Sequence, residues 1–233
     1  MKKIAIIPAR GGSKRIPRKN IKDFLGKPII AYSIEAALGS GLFDEVMVST
    51  DDEEIASVAR RYGAKVPFMR SVENADDYAT VSDVLSEVLE RYRKELNKTF
   101  DFICCIFPTA PFVGPKDLEK SFEKIQKSKF DGLFPVVPFP APVQRALHFQ
   151  GDKIKMMHPE NLNKRSQDLS PAYYDAGQYY WIKYDTFVRE RKLWTDNVTA
   201  MVISPLKAQD IDTPEDWKLA ELKYKLLKDE RHH

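Results

Sequence analysis

The chain carries only two cysteines, Cys104 and Cys105, and they are neighbours inside an apolar run. Adjacent residues on a strand point to opposite faces, so no disulfide framework is expected; the pair reads as two buried small hydrophobes of a reducing cytoplasm. Charge of one sign is also missing. Against 37 Lys and Arg stand 34 Asp and Glu, a formal net charge of +3, which removes any global signal for nucleic acid or membrane. No apolar stretch is long enough to span a bilayer. The chain enters a core-like strand at Ile4, which argues against a signal peptide. His148 and His158 lack partners at zinc-ligand spacing, and Ser13 lacks the His and Asp of a nucleophilic triad. Neither the P-loop pattern nor the Gly-x-Gly-x-x-Gly dinucleotide fingerprint occurs. There is no internal repeat. His232 and His233, at the end, are assigned no function.

What is present fits one large domain over residues 1–233. A hydrophobic content of 43% can fill a core. Apolar runs at Ile4–Ile7, Glu45–Ser49, Ala64–Phe68, Phe102–Phe107, Gly132–Val137, Gln178–Lys183 and Ala200–Ile203 read as strands. Helical periodicity connects them: a helix entered at Gly26-Lys27-Pro28, another after Thr50-Asp51, and others over 80–95, Pro115–Ser128 and Pro214–Leu227. The near-continuous apolarity of Phe102–Phe107 suits a parallel sheet covered on both faces. Strands alternating with helices predict a three-layer α/β sheet. The alternation fails from Pro138 to Asp175, where five prolines (Pro138, Pro140, Pro142, Pro159 and Pro171) and short alternating patches predict an inserted arm of irregular hairpins.

The most informative segment follows the first strand: Pro8-Ala-Arg-Gly-Gly-Ser-Lys-Arg-Ile-Pro-Arg-Lys-Asn20. Five cations (Arg10, Lys14, Arg15, Arg18 and Lys19) fall within ten positions beside Gly11 and Gly12. Glycine-freed backbone amides with cations spaced around them suit a polyphosphate. Pro17 interrupts any immediate helix, so the loop should be long and wrap its ligand. In an α/β sheet, ligands sit beyond the carboxyl ends of the strands. Gly11-Gly12, Thr50-Asp51 and Pro108-Thr109 all lie just after strands and should converge on one crevice. A polyphosphate usually arrives with a metal, and Asp210-Ile211-Asp212 places two carboxylates on one side of extended backbone, a fit for Mg²⁺. For Asp212 the competing reading is a helix start with Thr213 and Pro214. Asp51 is both a cap candidate and a weaker metal candidate.

At Ile7-Pro-Ala-Arg-Gly-Gly-Ser-Lys14 the sequence resembles the acylneuraminate cytidylyltransferases, which join CMP to sialic-acid-like sugars. The likeness covers nearly the whole chain. It includes Lys19-Asn20, Gly26-Lys-Pro28, Val48-Ser-Thr-Asp51, Pro108-Thr-Ala-Pro111 and Asp210-Ile-Asp-Thr213. Asn163-Lys-Arg-Ser-Gln-Asp168 and Tyr174-Asp-Ala-Gly-Gln178 look typical of the branch that activates pseudaminic acid for flagellin or surface-glycan modification. The resemblance implies a Rossmann-like nucleotidyltransferase fold and CTP as donor. Arg10, Lys14 and Lys19 would act on the phosphates, with Ala9, Gly11, Gly12 and Ser13 beside them. Asn20, Arg70 and Thr80 would read cytosine and ribose, Arg165 and Gln178 would face the sugar, and Asp210 and Asp212 would hold Mg²⁺. It further implies a homodimer built on the arm at 138–175, with each arm placed to help complete the neighbour's site. Family members for N-acetylneuraminic acid commonly carry Gln-Pro-Thr-Ser-Pro-Leu-Arg where this chain has Phe107-Pro-Thr-Ala-Pro-Phe-Val113. That departure puts N-acetylneuraminic acid itself in doubt and favours the pseudaminic branch, while a cytidylyltransferase for N-acetylneuraminic, legionaminic or 3-deoxy-manno-octulosonic acid stays open as the nearest alternative. Two other classes stay open: a sugar-1-phosphate nucleotidyltransferase, and a nucleic-acid-binding module using the same loop. The second conflicts with the confinement of the cations to one loop without interleaved aromatics.

Overall fold

The computed structural model describes residues 1–76 and 78–229; His232 and His233 lie outside that range. It opens with β1 (Lys3–Pro8), the two-residue strands β2 (Asp23–Phe24) and β3 (Lys27–Pro28), α1 (Ile29–Gly39), β4 (Glu45–Ser49) and α2 (Glu53–Arg61). Then come α3 (Val81–Glu95), β5 (Phe102–Ile106), α4 (Pro115–Gln126) and β6 (Gly132–Pro138). The arm contributes β7 (Leu147–Gln150), β8 (Lys153–Met156) and β9 (Tyr173–Asp175), and the chain closes with β10 (Tyr179–Lys183), α5 (Tyr184–Glu190), β11 (Val198–Val202) and α6 (Pro214–Asp229).

A seven-stranded sheet runs in the order β11-β6-β10-β5-β1-β4, with β9 added to β6. Alternation along each strand builds two cores. Ala5, Ile7, Val46, Val48, Cys104, Ile106 and Trp181 face α1, α2 and α4. Ile4, Ile6, Met47, Ile103, Cys105 and Ile182 face α3 and α5. This is the expected three-layer arrangement, and the two cysteines do point to opposite faces. On the first face the Trp181 indole donates to Ser121 Oγ at 2.9 Å, so the buried N–H is satisfied.

Several sequence expectations give way. The sheet is not parallel throughout: β5 runs parallel to β1 but antiparallel to β10, because the chain returns from the arm in the opposite direction. Apolarity of β5 reports burial on both faces, not strand direction. Residues 64–68 form no strand; only an isolated bridge between Met47 and Lys65 remains. Pro28 stands before α1 in extended backbone, paired with Asp23, and is not in the helix's first turn. The N-cap of α2 is Asp52, not Asp51: its side chain accepts from the Ile55 amide at 3.0 Å. Helix α5 was not anticipated, because its seven residues are too few for a clear period.

The segment 138–175 carries three short strands. Its hairpin β7–β8 pairs only with itself, and Leu147, Phe149, Ile154, Met157 and Leu162 are exposed. The chain rejoins the sheet through β9, and Gly177, at φ +61°, allows the turn that shifts it along the same edge of β6 into β10, which pairs with β6 on one side and β5 on the other. That shift puts Gln178 at the carboxyl edge of the parallel strands, where its carbonyl accepts from the Phe107 amide at 2.8 Å.

Candidate active site

The basic loop closes over the carboxyl edge of β1. A cavity of about 690 Å³ there is lined by Pro8, Arg10, Ser13, Lys14, Arg15, Lys19 and Asn20 on one side and Val81, Phe107, Pro108 and Thr109 on the other. A second cavity of about 250 Å³ shares Pro8, Arg10, Val81 and Phe107 with it and adds Arg70, Asn74, Asp76 and Ala79. The crevice therefore has a cationic chamber opening into a smaller polar one. Four of the loop's five cations face the larger chamber. The fifth, Arg18, turns away: its guanidinium takes both Asp52 oxygens at 2.5 and 2.9 Å and also reaches Glu54. That pairing holds the Asp52 carboxyl at about 2, well below the usual carboxylate range, with the Ile55 amide adding to it. Arg18 itself sits at φ 56°, a left-handed backbone that the ion pair helps hold.

The Gly11 amide is not left free as expected. The Gly11 amide donates to Asp51 Oδ1 at 3.0 Å, and the Ser13 amide to the Gly11 carbonyl at 2.9 Å. A Cβ on Gly11 would lie 2.9 Å from Asp52 Oδ2, whereas one on Gly12 would meet nothing within 4 Å. Gly11 is thus needed for close approach to a pinned carboxylate. Asp51 serves the loop in this way and neither caps α2 nor joins the Asp210 pair. Ala9 is buried, its amide donating to the Ser49 carbonyl at 2.9 Å as a continuation of the strand ladder.

Asn20 is buried and donates its side-chain amide to the Arg10 carbonyl at 2.9 Å. It shapes the loop and lines the larger chamber, not the smaller one with Arg70. Arg70 is buried with Nε on Ser49 Oγ at 3.1 Å and Nη2 on the Ser49 carbonyl at 2.5 Å. Burial lowers its pKa, opposed by Asp51 and Glu87. Thr80 is the N-cap of α3: it accepts from the Asp83 amide at 3.2 Å and donates to the Asp83 carboxylate at 2.6 Å. Its hydroxyl is committed to that capping box, while its neighbours Ala79 and Val81 line the smaller chamber. Asn74 and Asp76 were missed in the sequence, because the segment after Arg70 has no period. Asp76 left a local signal only: its carboxylate accepts from the amides of Tyr78 and Ala79, an Asx turn.

The acid pair is brought to the loop by packing. Ile16, Phe24, Ile29, Tyr32, Phe112, Ile211, Trp217 and Ala220 form one buried cluster, which docks the start of α6 against the basic loop. Lys19 Nζ donates to the Ile211 carbonyl at 2.7 Å and lies 3.4 Å from Asp212 Oδ1, and Arg15 pairs with the same oxygen at 2.9 Å. The helix start is served by others: Thr213 accepts from the Asp216 amide and donates its own amide to the Asp216 carboxylate at 2.8 Å. Asp212 is therefore not the cap. Partial loss of water, with Asp212 alongside, raises the Asp210 carboxyl above its ordinary range. Among the described residues no group of three or more His, Cys, Asp and Glu stands together as a metal cage. Two neighbouring hard carboxylates, one of which already draws two cations, would suit an ion that takes its remaining ligands from phosphate and water.

The two sugar-side candidates are not brought together by any contact. Arg165 lies on the arm, 73% exposed and paired with Asp168 at 2.9 Å. Gln178 is buried at the sheet edge and donates to the Lys207 carbonyl at 2.5 Å. Nearer the crevice, the Phe107 ring tilts against Tyr180, whose hydroxyl donates to Asp175 at 2.5 Å.

A mixed, largely parallel sheet with a cationic chamber at the carboxyl edge of its parallel strands suits the binding of a nucleotide's phosphates. The same fold occurs in a CMP:2-keto-3-deoxy-manno-octonic acid synthetase complexed with CTP, at a TM-score of 0.72 and 19% identity over 98% of this chain and 100% of that one. Residues 4–221 match the family described as Cytidylyltransferase, and the chain belongs to that family. It is 43% identical to the pseudaminic acid cytidylyltransferase of Campylobacter jejuni over 97% of both chains. It is 32% identical to the CMP-N,N'-diacetyllegionaminic acid synthase of Legionella pneumophila over 95% of both. No helix among the described residues is long and apolar enough to cross a membrane.

Proposed function

We propose that this cytidylyltransferase moves CMP from CTP to the anomeric hydroxyl of pseudaminic acid, releasing pyrophosphate. The observation that carries the reading is the convergence of Arg10, Lys14, Arg15 and Lys19 on one chamber, beside the docked acid pair. The relatives' substrates support the sugar assignment, and the apolar Phe107 to Val113 segment agrees with it. The triphosphate lies in the cationic chamber, and the nucleoside extends toward Arg70 and Asn74. Asp210 and Asp212 would hold Mg²⁺, which would neutralise phosphate charge. The sugar hydroxyl oxygen bonds to the α-phosphorus as the bond to pyrophosphate breaks, and the hydroxyl proton passes to water. Arg10 and Lys14 neutralise the departing pyrophosphate, and Lys19, anchored on the Ile211 carbonyl, orients the α-phosphate. Catalysis is positioning and charge stabilisation, with no covalent enzyme intermediate. The arm makes the enzyme a homodimer and carries Arg165 toward the partner's sugar site. The reaction takes place in the cytoplasm.

Pyrophosphate release across a panel of nucleoside triphosphates and sugar acids tests this. Turnover is expected with CTP and pseudaminic acid above N-acetylneuraminic, legionaminic and 3-deoxy-manno-octulosonic acids. A preference for one of those acids overturns the sugar assignment. A diphosphate-linked sugar product overturns the reaction.

A further inference from the structure

We propose that Arg15 holds the metal's place on Asp212 in the ligand-free enzyme, and that metal loading turns Arg15 over to the triphosphate as a further phosphate-binding residue. This rests on the reading that Asp210 and Asp212 form the metal site. Arg15 Nη2 lies 2.9 Å from Asp212 Oδ1. The contact is not a chance surface encounter, because the residues beside the two charges, Ile16 and Ile211, are 2% and 1% exposed in the same buried cluster. Packing of those isoleucines sets the guanidinium and the carboxylate opposite each other.

The two cations on Asp212 differ in how they are held. Lys19 is 22% exposed at its side chain and is tied to the Ile211 carbonyl at 2.7 Å. Arg15 is 67% exposed, and Asp212 is its ion-pair partner among the described residues. A divalent cation on Asp212 repels a guanidinium on the same oxygen. The loosely held partner leaves and the anchored one stays. Arg15 already lines the cationic chamber with Arg10 and Lys14, so a small rotation takes its planar fork from a carboxylate to a phosphate, a geometry it matches equally well. Metal and triphosphate are then coupled through one side chain: each draws Arg15 in the direction that favours the other, and the coupling is reciprocal.

Mn²⁺ binding to the whole chain without nucleotide, followed by electron paramagnetic resonance of the free ion, tests the proposal. Arg15→Ala should bind Mn²⁺ about two- to fivefold more tightly than the parent, the scale of an exposed ion pair. At saturating metal the same variant should show a KM for CTP raised severalfold, with Arg15→Lys between the two. Unchanged or weaker Mn²⁺ binding in Arg15→Ala overturns the proposal, as does a failure of both proteins to bind the ion. Asp212→Asn separates this from the underlying reading. If it binds Mn²⁺ like the parent, the metal site itself is misassigned. If it loses Mn²⁺ while Arg15→Ala changes nothing, only the placeholder role falls.

Discussion

Neighbouring residues of one short motif do unlike work here. Gly11 and Gly12 are identical in sequence, yet only Gly11 faces a fixed atom, an Asp52 oxygen 2.9 Å from where its Cβ would stand. Gly11→Ala should lower stability by about 1–3 kcal/mol, the usual cost of overpacking, and Gly12→Ala by less than about 0.5 kcal/mol; thermal melting of the two variants checks this. Arg18 and its neighbour Lys19 part in the same way, one gripping Asp52 and the other the acid pair. The Arg18–Asp52 contact carries a pH signature. Because the Asp52 carboxyl is depressed to about 2, its contribution to stability is full above the ordinary carboxylate pKa of about 3.9 and fades as pH falls toward 2. Denaturant unfolding from pH 6 to 2 should show the parent more stable than Arg18→Ala at the upper end, with the gap closing below about pH 4. A gap independent of pH would mean that Asp52 does not depend on Arg18 for its low pKa.

Elements matter through how they are docked. The acids of Asp210-Ile-Asp212 lie nearly two hundred positions after Lys19 (|i−j| of 193 for Lys19 and Asp212) and meet the loop only because Ile16 and Ile211 share an aromatic-rich cluster. Phe24 packs edge-on against Tyr32, Trp217 and Tyr224 in that cluster at 5.5 to 5.7 Å, which fixes the start of α6. Ile211→Ala should destabilise the fold by about 2–5 kcal/mol. In the protein that remains folded, the magnesium concentration for half-maximal rate should rise, because the carboxylates lose their register with Lys19. Melting temperature and a magnesium titration of turnover read the two effects separately. A lowered melting temperature with an unchanged titration would show that the docking cluster does not set the metal site.

At the scale of the whole molecule the arm stands out. Phe149 is 75% and Leu147 55% exposed on a hairpin that pairs only with itself, and a two-stranded hairpin is marginal alone in water. Burial against a second copy would give both the hairpin and its apolar face a reason to exist. Light scattering after size exclusion should show the parent as a dimer and Leu147→Asp/Phe149→Asp as a monomer with an intact far-ultraviolet spectrum. A monomeric parent, or a dimer that survives both aspartates, would remove the arm from the interface.

Most strand positions, the periods of the longer helices and the concentration of cations after β1 are local properties, and the amino-acid order alone determined them; the absent strand at 64–68 and the short helix α5 are exceptions. So were the opposed faces of Cys104 and Cys105 and the break in alternation at Pro138. The motifs of the loop and of Asp210-Ile-Asp212 were legible for the same reason, since each is a short run whose chemistry needs adjacent residues. Which cation does what was decided only in three dimensions. Arg18 turned to Asp52, the Gly11 amide went to Asp51, Thr213 with Asp216 relieved Asp212 of the cap, and β10 ran against β5. Each of these is a choice among partners distant in sequence, made by packing and by the need to satisfy every buried polar group. No local pattern records that choice.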